Sequence, residues 1–142
     1  MKRRDLLLAI MAAGGGRAFT PAQIQKAAFL VTRNAPHLVN EGAPFDFSPY
    51  DYGPFDISVY NEAEALERQG LAALTPNGRW RTYGPTAEGV EHGSAQLEKM
   101  SPDAQKYIQD VARWVLSLDF ATLVKSIYQA YPEMRENSIF KG

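Results

Sequence analysis

Apolar residues recur at helical spacing along most of the chain. Within residues 24–31 the apolar side chains repeat three and four positions apart, which places them on one face of an α-helix. Thr20, Pro21 and Gln23 precede this face and supply a capping hydroxyl, a proline at the first helical position and the glutamine of a capping box. Similar patterns predict further helices over residues 5–13, 57–69, 86–100, 102–118 and 119–131.

Two extended segments interrupt the predicted helices. Residues 71–83 predict a β-hairpin, because two extended runs, 71–75 and 79–83, flank Pro76-Asn77-Gly78, which contains the strong turn dipeptide Asn-Gly. The aromatic segment 45–52 cannot be helical throughout, since Pro49 restricts the backbone of the residue before it. The order of helix, helix, extended aromatic segment, helix and hairpin is that of a winged helix-turn-helix, with the hairpin as the wing.

The predicted fold is therefore mainly α with a small β-hairpin, and it forms one domain over residues 1–142. A winged helix-turn-helix-like core covers about 5–90, and C-terminal helices follow over about 101–131. Residues 132–142 form a tail. The C-terminal helices either pack on the core or form the surface of a homodimer.

Composition and charge narrow the classes of function. The chain has no cysteine, which excludes disulfides and thiolate metal sites and fits a reducing cytoplasm, where we expect the protein. Its 15 basic and 16 acidic residues give a net charge of -1, which argues against a protein built mainly to coat nucleic acid. The apolar run 6–13 is too short to span a membrane. Asp5 beside it favours a buried first helix over a signal peptide.

The candidate catalytic residues form no recognisable motif. His37 and His92 are far apart and have neither metal-site nor triad spacing. Asp46, Asp51 and Asp56 lie five residues apart, which matches no calcium loop, so that turn capping or solvent exposure is the favoured interpretation. The sequence therefore predicts no enzyme, no cofactor and no metal.

Four motifs between residues 20 and 89 resemble the Panacea family of SocA-like antitoxins, to which YwgA-like phage-associated proteins are related. Residues 24–30 (IQKAAFL) resemble the family's LQKLLFL helix, and 49–55 (PYDYGPF) resemble its Y-x-YGPF signature. Residues 67–71 (ERQGL) and 83–89 (YGPTAEG) are similar to its helix end and to its closing motif. The resemblance implies a non-enzymatic domain that neutralises a partner protein, such as a toxin encoded nearby, or that acts as a regulator.

A protein-binding module is the first functional hypothesis. Tyr50, Tyr52 and Phe55, or the glutamates of the third helix represented by Glu62, would contact the partner, since aromatic side chains supply large, rigid contact areas. The alternative that these rings are interior stays open at this stage.

A winged-helix DNA-binding regulator is the second hypothesis. Arg79 and Arg81 of the wing, with Lys26 and Arg68, would contact phosphates, which supply most of the affinity of such proteins. The third helix carries Glu62 and two further glutamates, a poor complement to DNA, and we expect them to form a solvated face. On charge, protein binding is favoured over DNA binding.

Overall fold

The computed structural model describes residues 1–141, in which six α-helices and two small antiparallel sheets are present. Their order is α1 (Arg3–Ala13), α2 (Pro21–Asn34), β1 (Ser48–Tyr50), β2 (Gly53–Phe55), α3 (Ile57–Arg68), β3 (Ala72–Asn77), β4 (Trp80–Pro85), α4 (Ala87–Glu98), α5 (Pro102–Leu116) and α6 (Phe120–Ala130). Short 3-10 turns lie at Pro36–Leu38 and Pro132–Arg135. The prediction of a mainly α fold with a small β-hairpin is confirmed.

Capping side chains determine the residues at which several helices begin. The Thr20 hydroxyl accepts from the backbone N–H of Gln23, and the Gln23 side chain accepts from the backbone N–H of Thr20, which completes the predicted capping box. The side chains of Ser101 and Asp119 cap α5 and α6 by accepting from the backbone N–H groups of Ala104 and Thr122. Gly70 follows α3 with a φ of 76°, the left-handed conformation that ends a helix.

The predicted hairpin is formed by β3 and β4, with a shifted turn. Asn77 pairs with Trp80 as the last pair of the ladder, so the loop consists of Gly78 and Arg79 rather than of residues 76–78. Gly78 has a φ of 64° at the first loop position, where a two-residue type II′ turn requires glycine. The strands are therefore longer than predicted.

The aromatic segment forms a second hairpin that the sequence did not predict. Ser48 pairs with Phe55 and Tyr50 with Gly53, which leaves Asp51 and Tyr52 as its two-residue loop. Gly53 has a φ of 109°, which only glycine adopts readily. We call this element, residues 48–55, the aromatic hairpin.

The core is organised around α1, whose residues from Leu6 to Met11 are all buried. Helix α4 crosses it closely, because a Cβ on Gly93 would lie 2.6 Å from the Cβ of Ala12 and 2.7 Å from the carbonyl oxygen of Leu8. The N-terminal apolar run is thus a buried helix, as predicted. Among residues 1–141, no helix combines the length and apolar character needed to cross a membrane.

Candidate functional site

Large exposed apolar side chains gather around the aromatic hairpin. Seven such side chains are exposed in the part of the chain that the structure describes, and four of them lie here. Tyr50, Tyr52, Phe120 and Ile139 are 54%, 42%, 45% and 57% exposed. We call these four residues the hairpin surface.

One aromatic row connects the hairpin with α6 and the tail. The rings of Tyr52 and Phe120 meet edge to face at 5.0 Å between centroids, and those of Phe120 and Phe140 at 6.0 Å. The backbone N–H of Ile139 donates to the carbonyl oxygen of Asp51 at 2.9 Å. The tail is therefore tied to the hairpin loop, which places Ile139 beside the two tyrosines.

A second aromatic row anchors the hairpin to the interior. Tyr50 stacks on the half-buried Phe55 at 4.9 Å, and Phe55 meets Tyr60 at 5.7 Å. Tyr60 in turn stacks on the buried Tyr83 of β4 at 5.3 Å. Burial, followed by the neighbouring Tyr83, raises the pKa of Tyr60 to about 12. Of the predicted contact residues, Tyr50 and Tyr52 are thus exposed, and Phe55 supports Tyr50.

Helix α2 holds the end of the hairpin through a buried glutamine. The Gln25 amide donates to the carbonyl oxygen of Asp56 at 2.9 Å, and it accepts from the Asp56 backbone N–H at 3.0 Å. The Asp56 carboxylate accepts from the backbone N–H groups of Ser58 and Asp46. Asp56 is thus the N-cap of α3, a capping role in line with one of the two interpretations favoured for the three aspartates.

The glutamates of α3 form the expected solvated face only in part, because Glu67 and much of Glu64 are exposed whereas Glu62 is not. Glu62 is largely buried and forms ion pairs with Arg3 at 2.9 Å and Arg4 at 3.0 Å. Glu64 pairs with Arg81, and Glu67 accepts from the backbone of β3. Glu62 therefore binds α1 rather than offering its charge to a partner, which corrects its prediction as a contact residue.

The four cations of the DNA-binding hypothesis are in different environments. Lys26 is 3% exposed and is not accessible to phosphate, which corrects its prediction as a nucleic-acid contact. Arg81 pairs with Glu64 at 3.0 Å and lies over the Tyr83 ring. Arg68 and Arg79 are exposed, one at the end of α3 and the other in the β3–β4 loop.

Within residues 1–141 no cluster of three His, Cys, Asp or Glu could hold a metal. A cavity of about 480 Å³ is lined by Asp5, His37 and Glu41 among others, and these side chains form no ion pair with one another in the described region. The cavity therefore contains no hydrogen-bonded pair of nucleophile and base.

Sequence reasoning missed Phe120 and Ile139 as parts of this surface. Phe120 lies at helical spacing with the buried residues of α6, a pattern that by itself predicts a core position. It is, however, the first residue of the helix, directly after the cap Asp119, and projects at the end rather than into the core. In the tail, the two adjacent apolar residues Ile139 and Phe140 were the sequence signal that could have indicated a contact with the rest of the protein.

Comparisons with known proteins do not assign the chain to a family. No protein-family model matches the chain, and no curated protein shows significant similarity to it. The geometry of the hairpin surface is therefore the basis for a functional conclusion.

Proposed function

We propose that the chain is a non-enzymatic, antitoxin-like or regulatory module that binds a partner protein through the hairpin surface. The observation that carries this proposal is the clustering of Tyr50, Tyr52, Phe120 and Ile139, all more than 40% exposed, around one hairpin. Contiguous exposed apolar patches on globular proteins mark interaction sites.

The hairpin surface is suited to binding because its three aromatic side chains are already packed against neighbouring rings. Tyr50 is stacked on Phe55, and Tyr52 packs edge to face on Phe120. Ordering side chains at an interface costs free energy, so anchors that are held in place before binding retain more of their contact energy. Aromatic anchors of this kind are common among the residues that dominate protein interfaces.

The sequence motif behind the Panacea resemblance coincides with this surface. Residues 49–55, which match the Y-x-YGPF signature, form most of the aromatic hairpin. This coincidence supports a Panacea-type module whose partner is the product of a neighbouring reading frame, a toxin in the antitoxin-like case. The order of α2, α3 and the β3–β4 hairpin supports a winged helix-turn-helix-like core for it.

A DNA-binding regulator is less well supported. Of the four cations predicted to contact phosphate, Lys26 is buried and Arg81 is paired with Glu64. Arg68 and Arg79 alone would neutralise few phosphates, and phosphate neutralisation supplies most of the affinity of DNA-binding proteins.

Affinity purification from the native host tests the proposal. The bait is the wild-type chain or a double variant, Tyr52→Ser with Phe120→Ser. Trp80→Ser is the matched control, because Trp80 is 64% exposed but lies on β4, outside the hairpin surface. We expect one stoichiometric protein with the wild type and with Trp80→Ser, and its loss with the double variant.

Two results would contradict the proposal. One is retention of the same partner by the double variant at unchanged stoichiometry. The other is the absence of a stoichiometric protein, together with salt-sensitive DNA binding that Arg68→Gln and Arg79→Gln weaken. Growth arrest by the isolated partner, relieved by co-expression of the chain, would identify the antitoxin-like case.

A further inference from the structure

The outer edge of the aromatic hairpin is covered by a short part of the tail. The Asn137 side-chain amide donates to the carbonyl oxygen of Pro49 at 3.2 Å, and the backbone N–H of Ile139 donates to that of Asp51 at 2.9 Å. The two contacts come in the same order along both segments, so this part of the tail runs parallel to β1. We call residues 137–140 the strap.

The edge of β1 presents acceptors to the strap because of its prolines. Pro49 pairs with Pro54 across the hairpin, and neither residue has an N–H to donate to the ladder. Pairs in an antiparallel ladder alternate between hydrogen-bonded and non-hydrogen-bonded positions, so Pro49 occupies the second kind and directs its carbonyl oxygen away from β2. The strap satisfies this edge, which would otherwise be open to water or to another chain.

The strap also supplies part of the hairpin surface. Ile139 is 57% exposed and is one of the four residues that define this surface. The ring of Phe140 lies against Phe120 at 6.0 Å between centroids, and Phe120 in turn meets Tyr52 at 5.0 Å. The hairpin surface is therefore complete only while the strap lies on β1.

The strap is held by few specific contacts. Within residues 1–141, its hydrogen bonds and ring contacts to the hairpin and α6 are the two bonds to β1 and its loop and the packing of Phe140 on Phe120. The bonds from Ser138 to Arg135 and from Phe140 to Ser138 are local to the tail. A neutral hydrogen bond contributes about as much free energy as fixing the backbone of one residue costs. The docked and the released strap are therefore close in free energy.

We propose that the strap is a reversible device that switches the hairpin surface between a complete state, which binds the partner, and an incomplete state. The inference rests on the proposed function, because it concerns the partner protein at that same surface. A partner that contacts Ile139 binds the docked state more tightly and shifts the equilibrium toward docking. Its apparent dissociation constant is the intrinsic one divided by the docked fraction. Release of the strap thus weakens binding while the surface stays unoccupied.

Asn137→Ala tests the strap, because it removes the donor to Pro49 and leaves all four residues of the hairpin surface in place. With the docked and released states about equally populated, losing one hydrogen bond shifts the equilibrium about fivefold and lowers the docked fraction about threefold. Glu136→Ala is the matched control. Glu136 is the exposed neighbour of Asn137 and forms no ion pair within residues 1–141.

Two measurements follow docking and binding separately. Nuclear magnetic resonance of the full chain alone reports docking through the Ile139 amide, whose resonance should move toward its random-coil position in Asn137→Ala and stay in place in Glu136→Ala. Stopped-flow kinetics then use the partner that the wild type recovers from the native host. Asn137→Ala should associate with it about threefold more slowly at an unchanged dissociation rate, because fewer molecules are competent and the complex itself is unaltered.

Three results would overturn the role of the strap and leave the hairpin surface intact as a binding site. The first is an Ile139 resonance that does not move in Asn137→Ala. The second is unchanged binding by this variant. The third is faster dissociation at an unchanged association rate, which identifies Asn137 as an ordinary contact of the partner. Recovery of no partner by the wild type would instead contradict the proposed function, and the strap's role in binding with it.

Discussion

Replacing Lys26 by methionine should stabilise the protein at neutral pH. Burial lowers the pKa of Lys26 from 10.5 to about 8. At about 1.4 kcal/mol per pKa unit, the difference corresponds to about 3 kcal/mol by which the folded state disfavours the charged form. Methionine has a similar length and helix propensity, so Lys26→Met removes the charge with little change in packing.

The stability gained by Lys26→Met should decrease as the pH rises. Because the pKa of Lys26 is lower in the folded state, the unfolded chain binds more protons between pH 8 and 10.5. The wild type therefore becomes more stable as the pH rises through this window, relative to a variant that lacks the group. The advantage of Lys26→Met should be about 3 kcal/mol at pH 7 and should largely vanish above pH 10.5.

Urea unfolding of both proteins at pH 7, 9 and 10.5 measures the free energies of unfolding. Taking the difference between the proteins at each pH cancels the titration of all other groups. Lys106→Met is the control, since that exposed cation should change stability by no more than about 0.5 kcal/mol. A destabilised Lys26→Met variant at pH 7, or a difference that does not change with pH, would refute the account of Lys26 as a buried, unpaired charge.

Three further substitutions test the packing, the capping and the exposed surface by urea unfolding. Gly93→Ala should destabilise the protein by about 1–3 kcal/mol, because the new Cβ would lie 2.7 Å from the carbonyl oxygen of Leu8. The control Ser94→Ala, at the neighbouring position, should leave the stability unchanged. Equal effects of the two substitutions would contradict the close approach of α1 and α4. Thr20→Ala should cost about 1 kcal/mol by removing the cap of α2, and an unchanged stability would contradict that role. Tyr52→Ser should cost only about 1 kcal/mol, the contribution of an edge-to-face ring contact, and a loss above about 3 kcal/mol would show that Tyr52 is part of the core.

Helix positions could be predicted because their signals are local. The hydroxyl of Thr20 and the glutamine three residues later determine where α2 begins, and both lie within one turn of it. The same holds for Asp119 at α6 and for Gly70 after α3. Such contacts are encoded by neighbouring residues and need no knowledge of the rest of the fold.

The burial and the partners of charged side chains could not be predicted from neighbouring residues. Glu62 lies at a polar position of α3, but its partners Arg3 and Arg4 are on α1, almost sixty residues away. Lys26 occurs within an apolar stretch of α2, and the end of its side chain lies beside Gly53 of the aromatic hairpin, which is distant in sequence. Sequence spacing contains no information about these contacts.

The hairpin surface was only half predictable for a related reason. Tyr50 and Tyr52 were identified from the aromatic segment itself. Phe120 and Ile139 join them only because α6 and the tail return to the hairpin, and the bond from Ile139 to Asp51 spans most of the chain. Pairing within 48–55 was also missed, since two three-residue strands give too short a pattern for alternation to be seen.

Amide hydrogen exchange of the chain, alone and in complex with the partner recovered from the native host, tests the central claim most directly. The account predicts slower exchange on binding at Tyr52 and Gly53, at the start of α6 and at residues 138–141, with no change in the loop of Gly78 and Arg79. Protection confined to that loop and to the end of α3, with the aromatic hairpin unchanged, would contradict it.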